Sequence, residues 1–117
     1  MKWLVVLLAC AGCKQHAEPD PPATAARPVI PVSEVKRGQD ACKAYVAKVC
    51  ACAETVPAMK HDCELSRSYP EAMQVSLDVA ATADSTRLDV LQANDSVRKI
   101  VKQCIEATAK LPGSGCP

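Results

Sequence analysis

Four side chains in one short stretch have the types and spacing of a metal site. They are Cys50 and Cys52 of a C-x-C motif, and His61 and Cys63 of an H-x-C motif. Three thiolates and an imidazole are ligands that a tetrahedral zinc ion requires, and the same set would form a soft site for copper. These residues make a metal-binding or metal-sensing module one hypothesis for the function.

The number of cysteines favours a different use of these thiols. Six of the eight cysteines follow residue 38: Cys42, Cys50, Cys52, Cys63, Cys104 and Cys116. Three metal ligands would leave an odd set of three thiols in an oxidising compartment. An even number in a small exported domain is typical of a disulfide framework. The sequence therefore predicts disulfides, with no metal and no cofactor, and leaves the pairing open.

Two further motifs lack what catalysis requires. Cys50-x-Cys52 lies at the predicted end of a helix, where the helix dipole disfavours the thiolate of a redox enzyme. Ser96-x-x-Lys99 matches the S-x-x-K of serine acylases, but no S-D-N or K-T-G element accompanies it. We expect no catalytic residues and no enzyme activity.

The first 13 residues, MKWLVVLLACAGC, have the layout of a secretory signal. Lys2 precedes an apolar run that is too short to span a membrane, which takes roughly 20 residues. The run ends at Ala11-Gly12-Cys13, and this stretch resembles the lipobox of bacterial lipoproteins. The resemblance covers these 13 residues only.

The resemblance implies that residues 1–12 are removed and that Cys13 carries lipid on its thiol and on its new amine. Cys10, which follows Leu-Leu-Ala, is the alternative lipidation site, although its apolar run would be very short. Several acyl chains make a stable membrane anchor where one would be marginal. By analogy with the family, the absence of Asp after Cys13, where Lys14 stands, implies sorting to the outer membrane of the cell envelope.

Residues 13–37 are predicted to form a tether between the anchor and the domain. Five of the nine prolines fall here, among alanines and charges, with no apolar period. Such a composition favours extended polyproline II structure and therefore a semi-rigid spacer. Residues 38–117 then form the cysteine-rich domain.

The charge balance excludes nucleic acid as an evident partner. The chain has 14 basic and 13 acidic side chains, and loss of Lys2 with the signal leaves 13 of each. Nucleic-acid and anionic membrane surfaces require a basic excess or stripe. The one basic cluster, Arg98, Lys99 and Lys102, is interpreted as a solvated helix face.

The apolar pattern from residue 38 onward predicts an all-α fold. We expect a small, disulfide-stapled, up-down-up bundle of three main helices, at about residues 39–53, at 57–82 with a kink near Pro70, and at 85–110. Ser68-x-x-Glu71 has the form of a capping box. The alternation over residues 73–79 leaves a strand as an alternative, and residues 94–96 could split or bend the last helix.

The predicted helices also suggest where the cysteines and apolar residues lie. One face of the first helix carries Cys42 and Cys50, with Tyr45, Val46 and Val49 between them, and Cys52 lies off that face. Cys52 is therefore expected to bond to a different neighbour from that of Cys50. Met59, Cys63 and Leu65 are expected to point inward. A stripe including Val97 and Cys104 extends back to Leu88 and Leu91 and forward to Leu111.

An approximate register of antiparallel helices brings Cys50, Cys63 and Cys104 to one level. It places Cys52 and Cys116 near the end of the first helix and leaves Cys42 without a partner. Saposin-like proteins and plant lipid-transfer proteins are also helical and disulfide-linked, but their cysteine spacing differs. A lipid-carrying domain with a loosely filled, Phe-free core is a further alternative. The favoured function is a non-catalytic binding or structural role, with the membrane and an envelope protein as partners.

Overall fold

A computed structural model of the protein describes residues 29–117. These residues form four α-helices and two short 3-10 turns and contain no strand. The helices are α1 (Val32–Ala53), α2 (Lys60–Ser66), α3 (Ser68–Ala81) and α4 (Arg87–Lys110), and the turns are Pro57–Met59 and Pro112–Ser114. The predicted all-α, disulfide-stapled bundle is confirmed, because α2 and α3 together form the broken second helix.

The first helix starts earlier than its apolar pattern indicated. We predicted a start near Gln39, but α1 begins at Val32, immediately after Pro31. Proline lacks a backbone donor and is tolerated where a helix begins. Ile30 is also buried, at 4% exposure, within the core of the domain. The packed residues therefore include Ile30 and the start of α1, which precede the boundary predicted at residue 38.

The second helix breaks at Arg67, three residues before the expected kink. Pro70 falls in the first turn of α3, where its missing N–H leaves no hydrogen bond unmade. The predicted capping box does not form, because α3 has no side-chain cap and the Ser68 hydroxyl donates instead to the Leu65 carbonyl at 2.7 Å. Residues 73–79 are helical throughout, so the strand alternative is wrong.

The last helix is continuous through the polar residues 94–96. Its first turn is fixed by a capping box that we did not predict from the sequence. The Thr86 hydroxyl accepts from the Asp89 backbone N–H at 3.2 Å, and the Asp89 carboxylate accepts from the Thr86 backbone N–H at 2.9 Å. At the other end, Gly115 adopts a positive φ of 83° after the second 3-10 turn, and Cys116 follows it.

The first and last main helices run parallel, as the up-down-up order requires. Along α1, Glu34 contacts Arg98, Gly38 approaches Val101, and Cys42 bonds to Cys104. Helix α3 packs against both, and the rings of Tyr45 and Tyr69 stack with centroids 6.2 Å apart. The core combines the following buried residues: Ile30, Cys42, Tyr45, Val49, Cys52, Ala53, Met59, Cys63, Met73, Val97, Cys104, Leu111 and Cys116.

Several predicted core positions are exposed. Leu65 is exposed, whereas Met59 and Cys63 point inward as expected. On α4 the backward extension of the stripe through Leu88 and Leu91 is also wrong. Val90, Ala93 and Asn94 are the buried residues there, because the packed face of α4 lies one to two positions from the one that we predicted.

Candidate functional site

The cysteines gather at the end of α1 and along its contact with α4. Three disulfides join Cys42 to Cys104, Cys50 to Cys63, and Cys52 to Cys116, with Cα–Cα distances of 5.0, 4.7 and 5.5 Å. All six cysteines of the described residues are thereby used. The predicted disulfide framework is confirmed, and the structure supplies the pairing that the sequence left open.

The C-x-C motif joins the end of α1 to two different parts of the chain. Side chains two positions apart on a helix point in directions that differ by about 200°. Cys50 therefore reaches α2 at Cys63, while Cys52 reaches Cys116 near the end of the chain. The expectation of two different neighbours is confirmed. The assignment of faces is wrong, since Cys52 lies on the buried face of α1 and Cys50 is only half-buried at its edge.

The register that we inferred placed Cys104 beside Cys50 and Cys63 and left Cys42 unpaired. In the structure Cys104 lies about two helical turns further toward the start of α1, where it bonds to Cys42. The close approach of Gly38 to Val101 brings the two helices together next to this disulfide. The predicted proximity of Cys50 to Cys63 and of Cys52 to Cys116 is confirmed.

The four residues of the hypothetical metal site do not form a thiolate cluster. Cys50 and Cys63 bond to each other, Cys52 bonds to Cys116, and His61 is exposed on α2. Metal ligation requires deprotonated thiols, which a cystine does not supply. Over residues 29–117, no group of three or more His, Cys, Asp or Glu side chains has an arrangement that could hold a metal ion.

The S-x-x-K motif lies on an open surface of α4. Ser96 is exposed, and the Lys99 ammonium forms an ion pair with Asp95 at 2.7 Å while its side chain remains 72% exposed. A lysine that acts as a general base requires burial to lose its proton readily. The surroundings of Lys99 do not provide that burial.

The basic cluster on α4 is matched by carboxylates. Arg98 pairs with Glu34 across the α1–α4 contact at 2.8 Å, and Lys102 pairs with Glu106 at 3.8 Å. The hydrogen bond from Arg98 lowers the pKa of the Glu34 carboxyl. These contacts agree with the solvated helix face that the sequence indicated, and they show that its charges are balanced locally.

Among the surface depressions formed by residues 29–117, two of about 200 Å³ each lie between helices. One lies between α3 and α4, and its lining includes Val75, Val79 and Ala93. The other lies between α1 and α3, beside Gln39 and Met73. Both are bordered by polar side chains, and the Met73 side chain is fully buried in the core beneath the second.

The tyrosine pair is the only aromatic stack that the described residues form. Burial raises the pKa of the Tyr45 hydroxyl, and the nearby charge of Asp62 acts in the same direction. The stack packs the end of α1 against the start of α3. Both tyrosines were visible in the sequence, but their contact was not, because they lie on different helices.

The predicted lipidation sites, Cys13 and Cys10, lie outside the described residues, as do the signal at 1–12 and the tether up to residue 28. Within residues 29–117, no helix is both long enough and apolar enough to cross a membrane.

Comparison of the chain with protein-family models found no matching family. Comparison with curated proteins found no match, and neither did comparison with solved structures. Function is therefore inferred from the residues of the chain and from their geometry.

Proposed function

We propose that the protein is a lipid-anchored lipoprotein of the bacterial cell envelope whose helical domain has a non-catalytic binding or structural role. One observation carries the proposal: the six cysteines of the domain pair among themselves. Such a framework belongs to an oxidising compartment. Because none of these disulfides requires Cys10 or Cys13, the pairing is compatible with acylation at the end of the lipobox-like stretch.

The anchor determines the first partner, which is the membrane itself. Cys13 is the proposed lipid attachment site, with Cys10 as the alternative, and Lys14 favours the outer membrane by analogy with other lipoproteins. An envelope protein is the proposed second partner. The formal balance of 13 basic and 13 acidic side chains in the mature chain supports a protein partner over nucleic acid.

The state of the reactive side chains supports a non-catalytic role. In the described part of the chain the thiols are in disulfides, and Lys99, Arg98 and Lys102 form ion pairs with carboxylates. An active site generally needs a nucleophile or base that is held in a cleft with a perturbed pKa. The raised pKa of Tyr45 follows from core packing, and Tyr45 lines neither of the depressions described above.

Intact mass spectrometry of the protein from its native membrane tests the proposal. The protein is extracted in detergent and measured before and after reduction with alkylation. We expect a chain that starts at Cys13 with added acyl mass and that gains six alkyl groups only after reduction. Cys13→Ser should abolish the acyl mass, whereas Cys10→Ser should leave it unchanged.

Each other outcome has a distinct meaning. A chain that keeps residues 1–12, or that lacks acyl mass, would contradict the lipoprotein proposal. Loss of lipid in the Cys10→Ser variant alone would move the anchor to Cys10. Alkylation without reduction, with zinc or copper retained in the native spectrum, would favour the metal-binding alternative at Cys50, Cys52, His61 and Cys63. A co-purifying free lipid would favour the lipid-carrying alternative.

A further inference from the structure

The depression between α3 and α4 is an open groove with apolar walls, which we call the α3–α4 groove. Val75 and Val79 line it on α3, and Asp89, Ala93 and Ser96 line it on α4. The two valines are 57% and 41% exposed, whereas Ala93 is buried between the helices. Two branched apolar side chains one helical turn apart are thus open to solvent above a small, buried residue.

The rest of the domain leaves this groove uncovered. Arg98, which pairs with Glu34 of α1, is two positions beyond Ser96 and therefore points about 200° away from it. Helix α1 accordingly packs on the other side of α4, and α2 makes no contact with α4. Within residues 29–117, α3 and α4 are the helices that border the groove.

Acidic side chains are concentrated in the part of the chain that forms the groove. Residues 68–96 contain five Asp or Glu side chains and one Arg, which gives a net charge of −4. The other described residues, 29–67 and 97–117, contain ten Lys or Arg and six Asp or Glu side chains, which gives +4. The described residues are therefore neutral as a set, but their charge is divided between two regions.

Three of these carboxylates lie beside the groove. Asp89 lines it, and Glu71 and Asp78 lie four positions before and three positions after Val75. Residues at these spacings are neighbours on a helix surface, so both carboxylates flank the exposed valine. None of the three carboxylates belongs to an ion pair formed within residues 29–117.

The nearby cations do not neutralise these carboxylates. Arg87 is two positions before Asp89, so the two side chains point in directions that differ by about 200°. The Lys99 ammonium is held by Asp95 at 2.7 Å. The groove therefore combines apolar walls with a negatively charged border.

The backbone of the groove favours a helix as its occupant. The N–H and C=O groups of α3 and α4 are bonded within each helix, so an extended peptide would find no strand edge to pair with. A helix satisfies its own backbone and presents only side chains. The α4 wall runs from Asp89 to Ser96, which is roughly 10 Å and matches about two turns of an occupant helix.

We propose that the α3–α4 groove binds a cationic amphipathic helix of an envelope protein. Apolar side chains of that helix pack against Val75 and Val79. Lysine or arginine side chains on its edges lie beside Glu71, Asp78 and Asp89. A second copy that docked through the same face would bring these carboxylates together, and an anionic membrane surface would be repelled by them.

This inference deepens the proposed function, on which it rests for the compartment of the partner. It adds the chemistry of that partner and the surface that meets it. The border charges supply selection among partners and speed of association, and the valines supply the apolar contact.

A designed peptide tests the groove. It is a helix of about 18 residues, with leucines at i, i+4, i+7 and i+11 and lysines on both edges of that stripe. Methyl spectra of the full, oxidised chain in an uncharged detergent are recorded by nuclear magnetic resonance as the peptide is added. We expect saturating shifts of the Val75 and Val79 methyl groups. A peptide with glutamate in place of each lysine should bind at least about tenfold more weakly.

One pair of variants tests the apolar wall. Val75→Lys should weaken binding of the lysine peptide by about tenfold or more, since it places a cation inside the contact. The matched control is Ile105→Lys, which adds the same charge at a branched side chain that is 56% exposed. Ile105 is nine positions beyond Ser96 and so points to the opposite side of α4. Its substitution should change the affinity by less than about twofold.

A second pair tests the charged border. Asp78→Asn should weaken binding by about twofold to fivefold, the effect of one exposed ion pair. Glu54→Gln is the control, because it changes the net charge equally at the exposed end of α1. It should leave the affinity unchanged.

Several results would overturn the proposal. Absence of saturating shifts at Val75 and Val79 up to about 1 mM peptide would remove the site, and binding that survives Val75→Lys would remove its placement. Equal binding of the glutamate peptide would exclude a cationic partner. Shifts of the two valines that depend on protein concentration would assign the groove to a second copy, and shifts on addition of phosphatidylglycerol alone would assign it to a membrane surface. None of these results depends on acyl mass at Cys13, so failure of the docking is distinguishable from failure of the lipoprotein proposal.

Discussion

Gly38 shows how one missing side chain determines the distance between α1 and α4. A Cβ atom at this position would lie 2.5 Å from Cγ2 of Val101. Glycine in a helix interior ordinarily costs about 1 kcal/mol relative to alanine. Alanine at position 38 would remove that cost, but crowding against Val101 outweighs the benefit. The β-branched Val101 side chain has one strongly preferred rotamer, and overpacking costs about 1 to 3 kcal/mol. Gly38→Ala should therefore lower the free energy of unfolding by about 1 kcal/mol in guanidinium titration.

Two further variants separate crowding from helix propensity. Gly113→Ala adds a methyl group where no other atom lies within 4 Å, and should change the stability by less than about 0.5 kcal/mol. In the Gly38→Ala background, Val101→Ala should recover stability, since it removes the clashing methyl groups. Stabilisation by Gly38→Ala alone would show that Val101 moves aside at little cost.

At the scale of elements, α4 depends on a cap that responds to pH. The Asp89 carboxylate accepts hydrogen bonds from the backbone N–H and the hydroxyl of Thr86, and these bonds lower its pKa from the ordinary value of 3.8. A carboxyl whose pKa is lower in the folded state stabilises the fold above the unfolded value and loses that effect as the pH falls through the folded value. Asp89→Asn should therefore destabilise the protein at pH 7 and much less well below pH 3.8.

The measurement is thermal unfolding of the unaltered protein and of the Asp89→Asn variant at a series of pH values. Asp84→Asn is the control, because it removes a carboxylate from the connection just before α4 but outside the capping box. Thr86→Ala removes the hydroxyl of the cap and should cost about 1 kcal/mol. A difference between the unaltered protein and Asp89→Asn that stays constant from pH 7 to pH 2 would assign the effect to shape and not to charge.

The helices were predictable from patterns within a single stretch of sequence. Features that depend on how one helix aligns with another were less predictable. Amphipathic spacing predicted the helices, and positions 50 and 52 predicted two different disulfide neighbours. The start of α1 was missed because burial of Ile30 outweighs the prolines on either side of Val29 and Ile30. The partner of Cys42 was missed because it depends on how two parallel helices align, and the two cysteines are 62 residues apart in sequence.

For the whole molecule, the three disulfides differ in the loops that they close. Cys50–Cys63 spans 13 residues, whereas Cys42–Cys104 and Cys52–Cys116 span 62 and 64. In the chain-entropy model, closing the short loop raises the free energy of unfolding by about 3 kcal/mol, and closing either long loop raises it by about 4 kcal/mol. The two long loops share most of their chain, however. When one long disulfide is intact, the other closes a path of only roughly twenty residues, so loop length alone separates the three by well under 1 kcal/mol.

Burial then decides which disulfide contributes most to the free energy of unfolding. Cys42 and Cys104 are fully buried beside the α1–α4 contact, whereas Cys50 is half-buried at the edge of α1. Replacement of the buried pair by alanine removes packed sulfur atoms as well as the cross-link, which adds about 1 kcal/mol for the space left behind. Cys42→Ala with Cys104→Ala should therefore lower the free energy of unfolding by about 1 kcal/mol more than Cys50→Ala with Cys63→Ala. Guanidinium unfolding of the two double variants, with Cys52→Ala and Cys116→Ala as the matched long-loop pair, measures the order. A larger loss from the short loop would mean that the Cys50–Cys63 link, and not the α1–α4 contact, is the principal support of the domain.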